Sequence, residues 1–157
     1  MPKTPMSLAL NFLTRRDYSR KELAARLVQS GIGGELAEET VAECVRLGLV
    51  NDRRYAADCA EMLAARNLGS RRIRQELARR GVAEFAGEAA ENQQSGESER
   101  ALEAARYKLR LIPESDPGFK KRQKLYRFLL SRGFDGDLVR ETAERLLSRR
   151  ETDGFFN

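Results

Sequence analysis

The chain is expected to be all-α: three tandem three-helix repeats forming an elongated, curved helical array. Three observations lead to this reading. A short pattern recurs three times, as Leu23, Leu27, Gly31 and Ile32, then Ile73, Leu77, Gly81 and Val82, then Leu125, Leu129, Gly133 and Phe134. Apolar residues four apart share one helix face, and a glycine four further on suits the left-handed position that ends a helix. Helix start signals precede each apolar run, and no stretch alternates strictly enough to argue for a strand.

The elements follow in order. Thr4-Pro5 reads as N-cap and first helical residue of a helix carrying Ala9 and Leu13. Ser19 and Glu22 form a capping box for the helix through Leu23 and Leu27. After Gly31 a third helix presents Leu36, Val41 and Val45. The second unit opens with Asn51 or Asp52 as cap of a helix bearing Tyr55, Ala56, Cys59 and Leu63. Its marker helix holds Ile73 and Leu77, and its third helix, with Phe85 and mostly Ala and Glu after it, is the least apolar of the nine. In the third unit Ala105 and Leu109 occupy the places of Ala9 and Leu13, displaced by an insertion at residues 112–118, where two prolines and a glycine make a loop. Asp135 caps the last helix, whose Leu138, Ala143 and Leu147 repeat the offsets of the first unit's third helix. The units are placed at 1–50, 51–94 and 95–150, with a flexible joint at 92–96 and a flexible tail at 151–157 where Phe155 and Phe156 could dock. Each marker glycine is structural in this reading, so Gly81→Val is expected to lower thermal stability, because a β-branched residue disfavours a left-handed cap. An unchanged melting temperature would remove that assignment.

Composition narrows the function classes. There is no His, which removes His-based metal sites and His general bases. The two cysteines, Cys44 and Cys59, lie in helical patterns without a C-x-x-C spacing and are read as reduced, buried small apolar residues, which fits a reducing, cytoplasmic setting. No apolar run approaches the roughly 20 residues that span a bilayer, and the N-terminus lacks a signal-peptide core. No phosphate-binding loop is present; residues 31–36 fail the dinucleotide fingerprint because Leu36 stands in the last glycine position. Catalytic residues, metal ligands, cofactors and a small-molecule substrate are therefore not expected.

Charge is uneven. Net charge is +5, yet residues 66–80 hold six Arg against one Glu, and residues 106–132 hold nine Lys or Arg against two acids. Arg72 and Lys124 occupy one repeat position and Arg80 and Arg132 another. Together with Arg71, Arg74, Arg79, Lys120, Lys121, Arg122 and Arg127 they form a candidate basic strip on units two and three, with Arg66 beside it, suited to DNA phosphates or an acidic protein surface. For Arg80 and Arg132 the alternative is a cation stabilising a helix C-terminus; for the rest it is a solvated face. Among the aromatics, Tyr55, Phe128 and Phe134 fall in the core register, and Tyr126 is the best placed to be exposed and to stack a base.

Four segments carry a family resemblance. They are Tyr18-Ser19-Arg20-x-Glu22-Leu23, Gly48-Leu49-Val50-Asn51-Asp52-x-x-Tyr55-Ala56, the run from Gly69 to Val82, and Lys124-Leu125-x2-Phe128-Leu129-x2-Arg132-Gly133-Phe134. In that order and spacing the chain resembles the RecX family of bacterial recombination regulators over roughly residues 7–147, departing from it at Asn51, where Asp is usual. The resemblance implies a non-catalytic protein that binds the RecA filament on single-stranded DNA and restrains its extension, ATP hydrolysis and strand exchange. Direct nucleic-acid contact through the basic strip, or a scaffold role for another protein, are the alternatives that the residues themselves leave open.

Overall fold

A computed structural model describes residues 3–155, with side chains through 148. Among the described residues there are nine α-helices and no strand: α1 (Pro5–Arg15), α2 (Arg20–Gln29), α3 (Gly34–Arg46), α4 (Asp52–Ala65), α5 (Ser70–Arg79), α6 (Ala83–Glu91), α7 (Glu97–Leu111), α8 (Gly118–Ser131) and α9 (Gly136–Phe155). The caps form as their residues dictate. The Thr4 side chain accepts from Ser7 N at 3.0 Å, and Ser19 with Glu22 closes a full capping box. Asn51, not Asp52, caps α4, accepting from Arg54 N at 3.0 Å, which leaves the Asp52 carboxylate to take Arg20 N at 2.8 Å across to the first unit. Asp135 Oδ1 accepts from Leu138 N at 3.0 Å.

Each triplet of helices encloses its own core. α1–α3 bury Ala9, Phe12, Leu23, Leu27, Ala37, Val41 and Cys44; α4–α6 bury Tyr55, Cys59, Leu63, Ile73, Leu77 and Val82; α7–α9 bury Leu109, Leu125, Leu129, Phe134, Val139 and Ala143. Both cysteines are buried free thiols. The third helices depart from expectation in register. Leu36 is exposed and Val45 only half-buried, because Ala37, Val41 and Cys44, spaced four and three apart, make the inward stripe and Leu36 lies one step round the helix. In α6 the inward residues are Ala86, Ala89 and Ala90, so this nine-residue helix packs close with little apolar volume.

Successive units meet through their second helices. At the first joint Ser19 Oγ, at the start of α2, donates to Arg80 O, at the end of α5, at 2.6 Å. At the second joint, Gly69 N and Arg71 N at the start of α5 donate to Arg132 O and Gly133 O at the end of α8, at 2.9 and 3.1 Å. At the first joint a hydroxyl and at the second joint left-over backbone amides thus satisfy carbonyls left over at the facing helix end. Gly81 and Gly133 both have positive φ, +89° and +94°, and both touch the neighbouring unit: a Cβ there would lie 2.6 Å from Lys21 Cβ or 2.3 Å from Arg72 Cβ. The expected loss of stability on Gly81→Val therefore gains a second cause beyond backbone strain. The accessible surface is 10056 Å², against about 8,000 Å² for a compact monomer of this mass, so the body is elongated.

The segment 92–96, expected to be a flexible joint, is a turn and a 3-10 helix (Gln94–Gly96) gripped by Arg100. Arg100, buried to 8% exposure, donates to Gln93 O at 2.6 Å and to Leu68 O at 3.0 Å, while Glu97 takes Ser70 N at 2.9 Å. Burial lowers the Arg100 pKa below the ordinary arginine value. In the expected tail α9 continues through Phe155; docking of Phe155 and Phe156 side chains lies outside the described residues.

Ser19 supplies a second measurable expectation. It is fully buried and serves both the α2 cap and the inter-unit bond. Ser19→Ala is expected to cost about 2 kcal/mol, roughly 5 °C in Tm, against about 1 kcal/mol for Thr4→Ala, whose cap is exposed and local. Equal losses in thermal melts would mean that the bond to Arg80 O contributes nothing.

Candidate partner-binding face

The eleven cations grouped by sequence do not form one strip. On α5, Ile73 and Leu77 point into the core, which leaves two opposite flanks. One flank brings Arg71 and Arg74 to a cleft of about 420 Å³ shared with Gln75, Glu91, Gln94, Glu97 and Asp135. The other places Arg79 in a cleft of about 500 Å³ at the joint of units one and two, with Arg16, Glu22, Met62, Arg66 and Arg80. On α8, Lys124 and Arg127 enter a cleft of about 480 Å³ with Lys108, Leu111, Ile112, Pro113, Phe128 and Ser131.

The last two clefts are the same place in consecutive repeats: the seam between the first and second helix of a unit. Met62 and Lys108 hold equivalent positions, as do Arg79 and Ser131. In unit one the equivalent positions hold a cation and a ring, the Arg26 guanidinium lying 4.9 Å from the Phe12 ring centre. In unit three the pair recurs with its partners exchanged, Lys108 Nζ lying 5.4 Å from the Phe128 ring. A cation over an aromatic face is attracted by the ring quadrupole, so the exchange preserves the contact.

Within this frame the candidates fall into three groups. Arg132 is a joint residue, whereas the Arg80 side chain braces α5 within unit two and only its carbonyl takes part in the first joint. Arg80 donates to Cys59 Sγ at 3.2 Å and lies 3.4 Å from Glu76, and Arg132 Nη2 donates to Arg66 O. Arg72 packs its Cβ on Gly133. Arg79, Lys121 and Lys124 have carboxylate partners in Glu76, Glu114 and Asp116. Hydrogen bonding to Arg79 holds Glu76 below the usual carboxylate range, and Lys124 does the same for Asp116. Arg71, Arg74, Lys120, Arg122 and Arg127 are exposed and have no carboxylate within 4 Å among the described residues.

Two corrections concern the aromatics. Tyr126 is half-buried against the third core rather than free to stack a base; it lies one position past Leu125 and still turns toward the bundle. The exposed rings are Phe119 and Tyr107, the latter with its centroid 6.5 Å from that of Phe128. Tyr55 lies in the core as expected, and burial beside Glu22 raises its hydroxyl above the ordinary tyrosine value. Lys108, Leu111 and Arg16 line the seams without having stood out in the sequence. The usable signal was their repeat position one helix earlier, Arg16 and Arg66 both lying 15 residues before a marker glycine.

Fold and face together define a tandem-repeat protein of three-helix units joined end to end, with shallow basic seams on its surface. Models of the first, second and third three-helix domains of RecX match residues 6–44, 51–90 and 96–142. The chain is 36% identical over 140 residues to a protein named Regulatory protein RecX from Stenotrophomonas maltophilia (strain K279a), covering 88% of this chain and 84% of the relative. It is 38% identical over 138 residues to the protein of that name from Chromohalobacter salexigens, covering 87% and 89%. The crystal structure of RecX from Lactobacillus salivarius superposes with a TM-score of 0.78 at 25% identity, over 92% of this chain and 94% of that one. The chain belongs to the RecX family of regulatory proteins.

Proposed function

We propose that the protein binds the RecA filament on single-stranded DNA and inhibits its extension, ATP hydrolysis and strand exchange, without catalysing a reaction of its own. The observation that carries this reading is the repetition of the helix seam in units two and three, within a chain of the RecX family. A partner made of identical subunits offers the same surface at regular intervals, and an array of equivalent seams can engage several at once. Linked weak contacts then combine through effective concentration, so that a few molecules act on a long filament. The units 1–50, 51–94 and 95–150 serve as the successive contact modules. No helix among the described residues is long and apolar enough to cross a membrane, and a cytoplasmic place of action goes with a DNA-bound partner.

A second reading, direct DNA binding, has its own support in Arg71, Arg74, Lys120 and Arg122, exposed cations without carboxylate partners on other flanks of α5 and α8. Both are tested by titrating the protein against ATP hydrolysis by RecA on single-stranded DNA, beside a binding assay on the same DNA alone. Inhibition well below the concentration that coats free DNA is the expected result. Inhibition only once the DNA is saturated, with binding that falls steeply with salt, would give the DNA reading its place.

A further inference from the structure

The two seams are equivalent in position and different in chemistry. The unit-two seam is lined by four arginines, Arg16 from unit one with Arg66, Arg79 and Arg80 from unit two, together with Glu22, and Met62 is its one large apolar side chain. The unit-three seam has an apolar floor of Ile112, Pro113 and Phe128, with Leu111 at 61% exposure along its edge. Its rim is cationic, from Lys108, Lys124 and Arg127. A single exposed leucine is ordinary on a protein surface; a leucine continuous with a recessed apolar floor and ringed by cations is a patch.

We propose that the unit-three seam takes an acidic peptide segment bearing one apolar anchor side chain, the anchor packing on Leu111, Ile112 and Pro113 while carboxylates meet Lys124 and Arg127. This rests on the reading that the chain acts on a protein partner, and it names the chemistry that partner presents. Charge complementarity selects an acidic occupant. The floor selects a peptide over a nucleic acid. Phosphates gain nothing from an apolar surface. A base requires a free aromatic face, whereas the Phe128 ring already has Lys108 Nζ 5.4 Å and Arg132 Cζ 5.8 Å from its centre and packs against the core. A cavity of about 480 Å³ holds one anchor and its neighbours, not the face of a domain. The loop 112–118, the insertion peculiar to the third unit, closes one end of the seam through Pro113, and its Asp116 pairs with Lys124. That pair fixes the cation in place for an incoming carboxylate to share or replace.

The test places a photo-crosslinking benzophenone amino acid at Leu111, and in a second protein at Arg71 on the opposite flank. Each is illuminated with RecA filaments on single-stranded DNA, and the adduct is mapped by mass spectrometry. The expected adduct at position 111 is with a RecA segment of net negative charge, joined at or beside an apolar residue, and its yield falls about tenfold when Arg127→Glu is added. Leu111→Ser, at a position exposed enough to leave folding intact, is expected to raise the half-inhibitory concentration about tenfold without moving Tm. An adduct with DNA, an adduct with a neutral or basic segment, or equal yields from positions 71 and 111 would overturn the proposal while inhibition by the unmodified protein stands. Absence of inhibition by the unmodified protein would instead remove the regulatory reading.

Discussion

Gly133→Ala is expected to destabilise the protein by about 3–5 kcal/mol, lowering Tm by roughly 10 °C, far more than one added methyl usually costs. Three effects combine. The residue sits at φ +94°, where a side chain costs about 1–2 kcal/mol. The new Cβ would lie 2.4 Å from Arg72 N and 2.3 Å from Arg72 Cβ, so the start of α5 must move; forced displacement of packed groups costs about 1–3 kcal/mol. Moving it breaks the bonds from Gly69 N and Arg71 N to Arg132 O and Gly133 O, which join units two and three. Two companions separate these effects. Gly31 has the same backbone strain, at φ +97°, but among the described residues nothing lies within 4 Å of its Cβ position. Gly31→Ala should therefore cost only about 1 kcal/mol. Gly69 has an ordinary φ of −84°, yet its Cβ would meet Gly133 C and O at 2.4 Å. Gly69→Ala should thus lose stability by contact alone. Once the joint is open the second change adds little, so the Gly69→Ala, Gly133→Ala pair should be strongly non-additive. Equal shifts in Tm for Gly31→Ala and Gly133→Ala would refute the joint as a source of stability.

These glycines also show what a sequence discloses and what it withholds. The pattern of Leu23, Leu27 and Gly31 and its two echoes places three helices and their ends because capping and amphipathic periodicity are local, written within one or two turns. The contact of Gly133 with Arg72 is not local: 61 residues separate them, and the sequence shows only that both glycines end helices. The same limit divides the basic residues. Equivalent repeat positions pair Arg80 with Arg132, but that the one reaches Cys59 in its own unit and the other Arg66 O in the unit before follows from tertiary packing. Helical spacing separates the flanks of α5 once its core face is known. Which flank of α5 meets α4 and which meets the start of α7 depends on the tertiary path. Leu36 fails for a simpler reason: at the start of a helix, neighbouring Leu36 and Ala37 both suit the stripe, and the larger residue turns outward.

Reversing charge at the unit-three seam with Lys124→Glu and Arg127→Glu is expected to raise the concentration for half-inhibition of RecA ATP hydrolysis about a hundredfold, each reversal contributing about 1–2 kcal/mol against an acidic surface. The choice of residues follows from the structure. A set made of Arg72, Arg80, Lys124 and Arg132, grouped by repeat position, would confound function with folding, because the Arg80 side chain ties α5 to α4 and Arg132 ties unit three to unit two. Lys124 and Arg127 are exposed, and the ion pair lost from Asp116 is a surface one that solvent screens, so its loss costs little. Tm should therefore stay within a few degrees of the parent. The matched control is Arg71→Glu with Arg74→Glu, on the opposite flank of the neighbouring unit and bordered by Glu91, Glu97 and Asp135. It makes the same change in net charge, so any effect of long-range steering falls on both variants alike and fades with salt. A loss confined to the seam pair, persisting at higher salt, assigns the contact to that face. An equal loss in both would mean that net charge acts through DNA, and full inhibition by the seam variant would take the face out of the mechanism.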